Sequence, residues 1–232
     1  MINTMSQNQL NNLSDSSATT ISRPAAQLSF VTASLFLVLL AALHILKPDL
    51  DPSWHMISEY EIGQYGWVMI LTFLSLAASC VSLAVAIWSQ VRSIGGRIGL
   101  VLLLLSALGM TIAAIFISDP ITAGPSELTT HGKLHGLGAL LGIPTFPIAA
   151  LLINLYLARK NSAWSAARNS LLWTAGLPLL GLVVFASAMA LTFRGSFGPE
   201  TPIGWPNRFL IITQCVWLMA VAWRADRLSK QR

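Results

Sequence analysis

Charge is the scarcest thing in this sequence. Asp, Glu, Lys and Arg make up 10% of its 232 residues, where a soluble domain carries roughly 25%. So few charges cannot cover a water-exposed surface. Cysteine is nearly absent as well. Cys80 and Cys215 both fall inside apolar runs, so no disulfide framework is expected, and both read as small packed residues. The sequence holds no GxSxG, no HExxH and no apparent repeat, which removes the commonest signatures of a serine hydrolase, a zinc protease and a solenoid. The net charge of +5 does not point to nucleic acid, because the basic residues sit at segment ends, as lipid-headgroup contacts do.

What the chain has is apolar length. It is 54% hydrophobic with a mean hydropathy of +0.66. A helix needs about 20 apolar residues to cross a bilayer, and six segments qualify, at about 28–47, 66–90, 98–118, 134–158, 170–193 and 205–223. Trp67 and Trp88 flank the second segment, and Trp205 and Trp223 the sixth, as interface anchors do. Arg208 and Arg224 bracket the sixth and can snorkel. The expected fold is therefore all-α, a six-transmembrane-helix bundle with short loops.

Residues 1–27 are rich in Asn, Gln, Ser and Thr, with little to bury, and are expected to form a disordered tail. The apolar run after them is too long for a signal-peptide core, so it is expected to stay as the first helix. Residues 28–224 form the membrane domain and 225–232 a basic tail. Loop charges alternate. The tails and loops 91–97 and 159–169 carry ten basic residues against Asp15 and Asp226, whereas the other side carries four basic residues against seven acids. The positive-inside rule then places both termini in the cytoplasm.

In this orientation all four histidines and seven of the nine acids fall at the outer end. The stretch HGKLHGLG, residues 131–138, sets His131 and His135 four apart, on one helix face if the helix starts by about residue 130. Such a pair can bind zinc with a third ligand, Asp119, His44 or His55, and keep a position open for water. Lys133 between them opposes a cation, and the competing reading is two interfacial imidazoles bonded to water or loop carbonyls. His135 lies deeper. Its face continues through Gly138 and Gly142, a small-residue surface that permits close helix approach, so His135 is expected to point into the bundle. An ionisable group there is a functional candidate. Asp119, after the third span, is either its partner, fixing the imidazole tautomer, or a turn residue in "SDP".

The stretch 51–67, DPSWHMISEYEIGQYGW, mixes aromatic residues with His55, Glu59 and Glu61. It reads as a lid or interfacial helix over the bundle mouth, or as a plain amphipathic connector. Ser58 and Glu59 can supply a hydroxyl and a carboxylate, although nothing local marks Ser58 as a nucleophile. Pro144, Pro147 and Pro178 lie inside spans and free backbone carbonyls. Loop 194–208 is dense in Gly and Pro, as a compact outer cap would be. Arg208 can meet an outer carboxylate such as Asp119, or a lipid phosphate.

Ile57-Ser58-Glu59, "FISD" ending at Asp119, "GKLH" ending at His135 and "WPNR" ending at Arg208 together resemble the DUF998 family of bacterial and archaeal membrane proteins, over roughly residues 28–224. The chain has Ile117 where that pattern has a proline before the Asp. The resemblance implies six spans and a constellation of Asp119, His135 and Glu59 in place of a bis-histidine metal site, since His131 lies outside the pattern. It implies no activity.

Two functions follow as expectations. One is binding of a small molecule or lipid headgroup in a polar outer-face pocket, with Arg208 and His55 as binding residues. The other is an intramembrane hydrolase using Asp119, His135, Glu59 and Ser58, with zinc on His131, His135 and Asp119 if it is metal-dependent. The expected partners are the lipid bilayer and a small-molecule or lipid ligand, without nucleic acid, in the inner (plasma) membrane of a bacterial cell.

Overall fold

The structure, a computed structural model, describes residues 21–192 and 197–231. Six long helices account for most of it: α1 (Arg23–Leu46), α2 (Gly66–Ile87), α3 (Ile94–Ile115), α4 (Thr130–Lys160), α5 (Arg168–Thr192) and α6 (Gly204–Ser229). A five-residue 3-10 helix, Ile57–Glu61, and a single helical turn, Ser162–Ser165, complete the elements, and there is no strand among the described residues. All six long helices are long and apolar enough to cross a bilayer. The chain is a multi-pass membrane protein.

The helix ends differ from the expected ones for local reasons. α1 begins at Arg23, five residues before the expected start. Pro24 sits in its first turn, where the missing N–H is not needed. Arg23 and Gln27 then reach Asp226 Oδ1 on α6, at 3.2 and 3.1 Å. Most of the tail expected over 1–27 lies outside the described residues, as does Arg194. α6 continues to Ser229, so most of the basic tail expected over 225–232 is helical, with Lys230 Nζ 2.7 Å from Asp226 Oδ2 one turn back. α4 starts at Thr130 because Thr129 caps it, its hydroxyl accepting from Gly132 N at 3.0 Å.

Neighbours in sequence are neighbours in space. Each helix packs on the next, and α6 closes the ring against α1. α2 lies deepest, with 67% of its apolar window buried against 22% for α5. The α3–α4 contact is the most extensive, and glycine makes it so. A Cβ built on Gly109 would stand 2.5 Å from both Gly138 O and Gly142 N, and one on Gly138 would stand 2.7 Å from Gly109 O. The small-residue surface expected on α4 is thus the seam against α3. It turns His135, one turn before Gly138, toward the inside of the bundle.

Candidate functional site

The connector between α1 and α2 folds back onto the bundle mouth. Its 3-10 helix buries Ile57, Glu59, Tyr60 and Glu61, and two acids in so short an element need many donors. Glu59 Oε2 accepts from Met56 N at 2.9 Å and from His55 Nδ1 at 3.0 Å, while Oε1 accepts from Ile121 N at 3.0 Å. Ile57 N donates to Asn207 Oδ1 on α6 at 3.0 Å, and Ser118 Oγ donates to Ser58 O at 3.2 Å. The segment is pinned on both sides by bonds to residues distant in sequence. It leaves for α2 through Gly63 and Tyr65, both with positive φ. Gly66 follows with its backbone tight against Glu61 O, in space that no Cβ could share.

His135 is buried, as its face predicted, but its carboxylate partner is Glu61 and not Asp119. Glu61 Oε2 lies 3.3 Å from His135 Nδ1 and accepts from Ser118 N at 3.2 Å. His135 Nδ1 is also within 2.9 Å of Phe116 O and 3.1 Å of Ala113 O. Three acceptors around one nitrogen place a proton there. Asp119 serves the turn instead. Its carboxylate accepts from Thr129 N at 2.8 Å and from Thr129 Oγ1 at 2.9 Å, orienting the residue that caps α4. A short loop presents two donors ten residues away, and these hold the carboxylate on Thr129 and not on the imidazole.

The metal set expected from His131, His135 and Asp119 does not assemble. His131 is exposed and packs edge-on against Phe116, 5.5 Å between ring centroids. With Asp119 committed to Thr129, the donors do not converge, and no three His, Cys, Asp or Glu side chains among the described residues are placed to hold an ion. These residues do not fit a zinc ion.

Arg208 is buried at the start of α6 and meets only neutral acceptors. Its Nε donates to His44 Nε2 at 2.8 Å, Nη1 to His55 O at 2.6 Å and Gly204 O at 3.1 Å, and Nη2 to Tyr60 Oη at 3.1 Å. His44 Nδ1 lies 2.7 Å from Leu40 O, so it carries the ring's one proton and Nε2 is free to accept from the guanidinium. His55, expected as a binding side chain, contributes its carbonyl here and its ring to Glu59. Lys47, just past α1, donates to Tyr60 O at 3.3 Å and to Ile62 O. Burial pushes its ammonium pKa down from the ordinary lysine value, against the attraction of Asp49 and Glu59. Asp51 is held below the usual carboxylate range, first by the N–H of Ser53, which donates to it at 2.8 Å.

These elements enclose a cavity of about 340 Å³ between the 3-10 helix, the α3–α4 loop and the inner faces of α2, α3, α4 and α6. Its walls are mainly apolar, with Met56, Phe73, Met110, Ile143 and Ile211 among them, and its polar lining comes from Ser58, Glu59, Ser118, Asp119, His135 and Asn207. His135 and Asn207 are 7% and 4% exposed. Asn207 spends Oδ1 on Ile57 N, and its Nδ2, like His135 Nε2 and Ser58 Oγ, has no hydrogen-bond partner among the described residues. The lining brings together Ser58, Glu59, Asp119 and His135, all named as candidates from the sequence. The sequence marks His44 only as a metal ligand, Glu61 and Tyr60 only as part of the 51–67 stretch, and Asn207 not at all. Glu61 stands two residues from Glu59 and had the same signal, an acid in an amphipathic stretch. Asn207 had none beyond being next to Arg208.

No curated protein and no solved structure matches the chain. The family model described as "Protein of unknown function (DUF998)" matches residues 30–224, and the chain belongs to that family.

Proposed function

We propose that the cavity beside His135 binds an amphiphile, with its head among Ser58, Asn207 and His135 and its apolar part against Phe73, Met110, Ile143 and Ile211. One observation carries this reading: two buried residues, His135 and Asn207, line a mainly apolar cavity, and each keeps a side-chain nitrogen without a hydrogen-bond partner among the described residues. Polar atoms left open on a cavity wall are available to a ligand or to water. The cavity is of ligand size, since small-molecule sites run roughly 300–1,000 Å³. The head it suits is uncharged or cationic, because the charged lining is Glu59 and Asp119 with no Lys or Arg among it. A small molecule or a lipid headgroup with donors and no net negative charge meets that description. Glu59 and Asp119 position the walls through their backbone bonds. The ten-to-two excess of basic residues on the terminal side supports a cytoplasmic N- and C-terminus in a bacterial inner membrane, with this cavity on the outer face.

Dodecylamine, dodecanol and laurate share a tail and differ in head charge. The amine and the alcohol are expected to raise the melting temperature of the purified protein more than laurate does. Ile143→Trp, which fills the cavity, should abolish the difference. A protein indifferent to all three overturns the reading.

A second reading, an intramembrane hydrolase, draws on one observation of its own. Glu61 on Nδ1 and an Nε2 without a hydrogen-bond partner among the described residues give His135, in its neutral form, the arrangement of a general base held by a carboxylate, and Ser58 lines the same cavity with an unengaged hydroxyl. In that mechanism His135 Nε2 would take a proton from Ser58 Oγ or from water as it attacks an ester carbonyl. Asn207 Nδ2 would donate to the developing oxyanion. The test is hydrolysis of 4-nitrophenyl octanoate by protein in lipid nanodiscs. Activity lost in both His135→Ala and Glu61→Gln supports it, and activity equal to that of empty nanodiscs removes it.

A further inference from the structure

A second recess lies on the other side of the 3-10 helix, between α1 and α6, with a volume of about 590 Å³. It opens sideways between two helices whose outer residues face the bilayer, and Phe209, Ile212 and Trp205 on its wall are 39%, 41% and 56% exposed. Leu40 and Ala41 form its other side. Its polar residues are Arg208 and His44, with no acid among the lining. The charge is therefore opposite to that of the first cavity.

Arg208 is the unusual part. It is 2% exposed, yet every acceptor it meets is neutral, and no carboxylate among the described residues lies within ion-pair distance of it. Glu59, on the same 3-10 helix as Tyr60, is committed to Met56 N, His55 and Ile121 N. One hydrogen on Arg208 Nη2 is left over after the bond to Tyr60 Oη. A cation within a membrane bundle draws a counter-ion, and the recess offers a route from the lipid side to this one. Arg208 also stands in the first turns of α6, where the helix dipole is positive and favours an anion. Trp205, whose ring centroid lies 5.9 Å from the guanidinium, adds an indole N–H at headgroup depth.

We propose that the α1–α6 recess is a binding site for an anionic phospholipid of the surrounding leaflet, its phosphate paired with Arg208 and one acyl chain lying along Leu40, Ala41, Phe209 and Ile212. The site is separate from the cavity at His135 and does not depend on what that cavity binds.

Native mass spectrometry of the purified protein with equal amounts of phosphatidylglycerol and phosphatidylcholine, matched in acyl chains, tests it. The anionic lipid is expected to be retained over the zwitterionic one by about fivefold, the factor expected for one basic residue at an anionic headgroup. Ala41→Trp fills the recess from an exposed wall position and leaves Arg208 untouched. With an unchanged melting temperature as the check on folding, this variant should lose the selectivity. Equal retention of the two lipids by the native protein overturns the proposal, as does selectivity that survives Ala41→Trp. Displacement of the lipid by inorganic phosphate alone, which would place the affinity in the headgroup anion and not in a lipid, overturns it too.

Discussion

Glu61 Oε1 is buried and has no hydrogen-bond partner among the described residues, while Oε2 serves both His135 and the Ser118 N–H. Removing either member of such a pair strands the other, so single substitutions are costly and the double is not their sum. Glu61→Gln and His135→Ala should show a coupling of about 0.5–3 kcal/mol in a double-mutant cycle of detergent-solubilised protein. Asp119→Asn should couple instead to Thr129→Ala, which loses a helix cap at about 0.5–2 kcal/mol. If Asp119 couples to His135 as strongly as Glu61 does, the pairing drawn from these distances is wrong. Lys47 gives a pH test. Its folded-state pKa lies below the unfolded value, so the folded chain gives up this proton first as pH rises. The unfolded chain then binds more protons, and stability climbs with pH from the folded pKa up to about 10.4, the ordinary lysine value, beyond which it is flat. Melting temperatures across that alkaline window should rise in the native protein. Lys47→Met, without the proton, should lack that component of the rise.

At the scale of elements, the α3–α4 seam is held by the absence of side chains. Gly109→Ala places a methyl against the backbone of Gly138 and Gly142, where nothing flexible can yield, and should cost about 1–3 kcal/mol by overpacking. Gly136, on the same helix as Gly138, has nothing within 4 Å of its Cβ position. Gly136→Ala should be neutral or stabilise by up to about 1 kcal/mol, because alanine loses less backbone freedom in a helix. Thermal unfolding of the two variants separates a seam from a mere tolerance of glycine. A Gly109→Ala protein as stable as Gly136→Ala would show that α3 and α4 do not meet this closely. The seam also serves the site, because it sets the rotation of α4 that brings His135 inward and leaves His131 on the surface.

For the whole molecule, orientation decides what the two recesses meet. The start of α1 and the end of α6 meet at the basic end, where Arg23 lies 3.2 Å from Asp226. A reporter fused after Arg232 that works only in the cytoplasm should be active, and one that works only in the periplasm should stay silent. The opposite result would place the His135 cavity and the Arg208 recess at the cytoplasmic face and reverse the leaflet that supplies the lipid. The ring order of helices has its own consequence. The two recesses lie on opposite sides of one 3-10 helix, with Glu59 turned toward the acidic cavity and Tyr60 toward Arg208.

The sequence by itself determined the number of spans, their approximate limits, the basic and acidic ends and the inward turn of His135. Each of these is a local property: an apolar run long enough for a bilayer, a bias of charge across short loops, and glycines spaced on one helix face. Only the tertiary structure decided which acid meets which base. Glu59, Glu61 and Asp119 are equivalent in a linear reading, each an acid near a span end. The path of the backbone through Gly63, Tyr65 and Gly66 aims Glu61 at the imidazole, and the donors of Thr129, Met56 and Ile121 occupy the other two. Those positions follow from loop closure over the bundle mouth and from contacts between residues tens of positions apart, which spacing along the chain does not record.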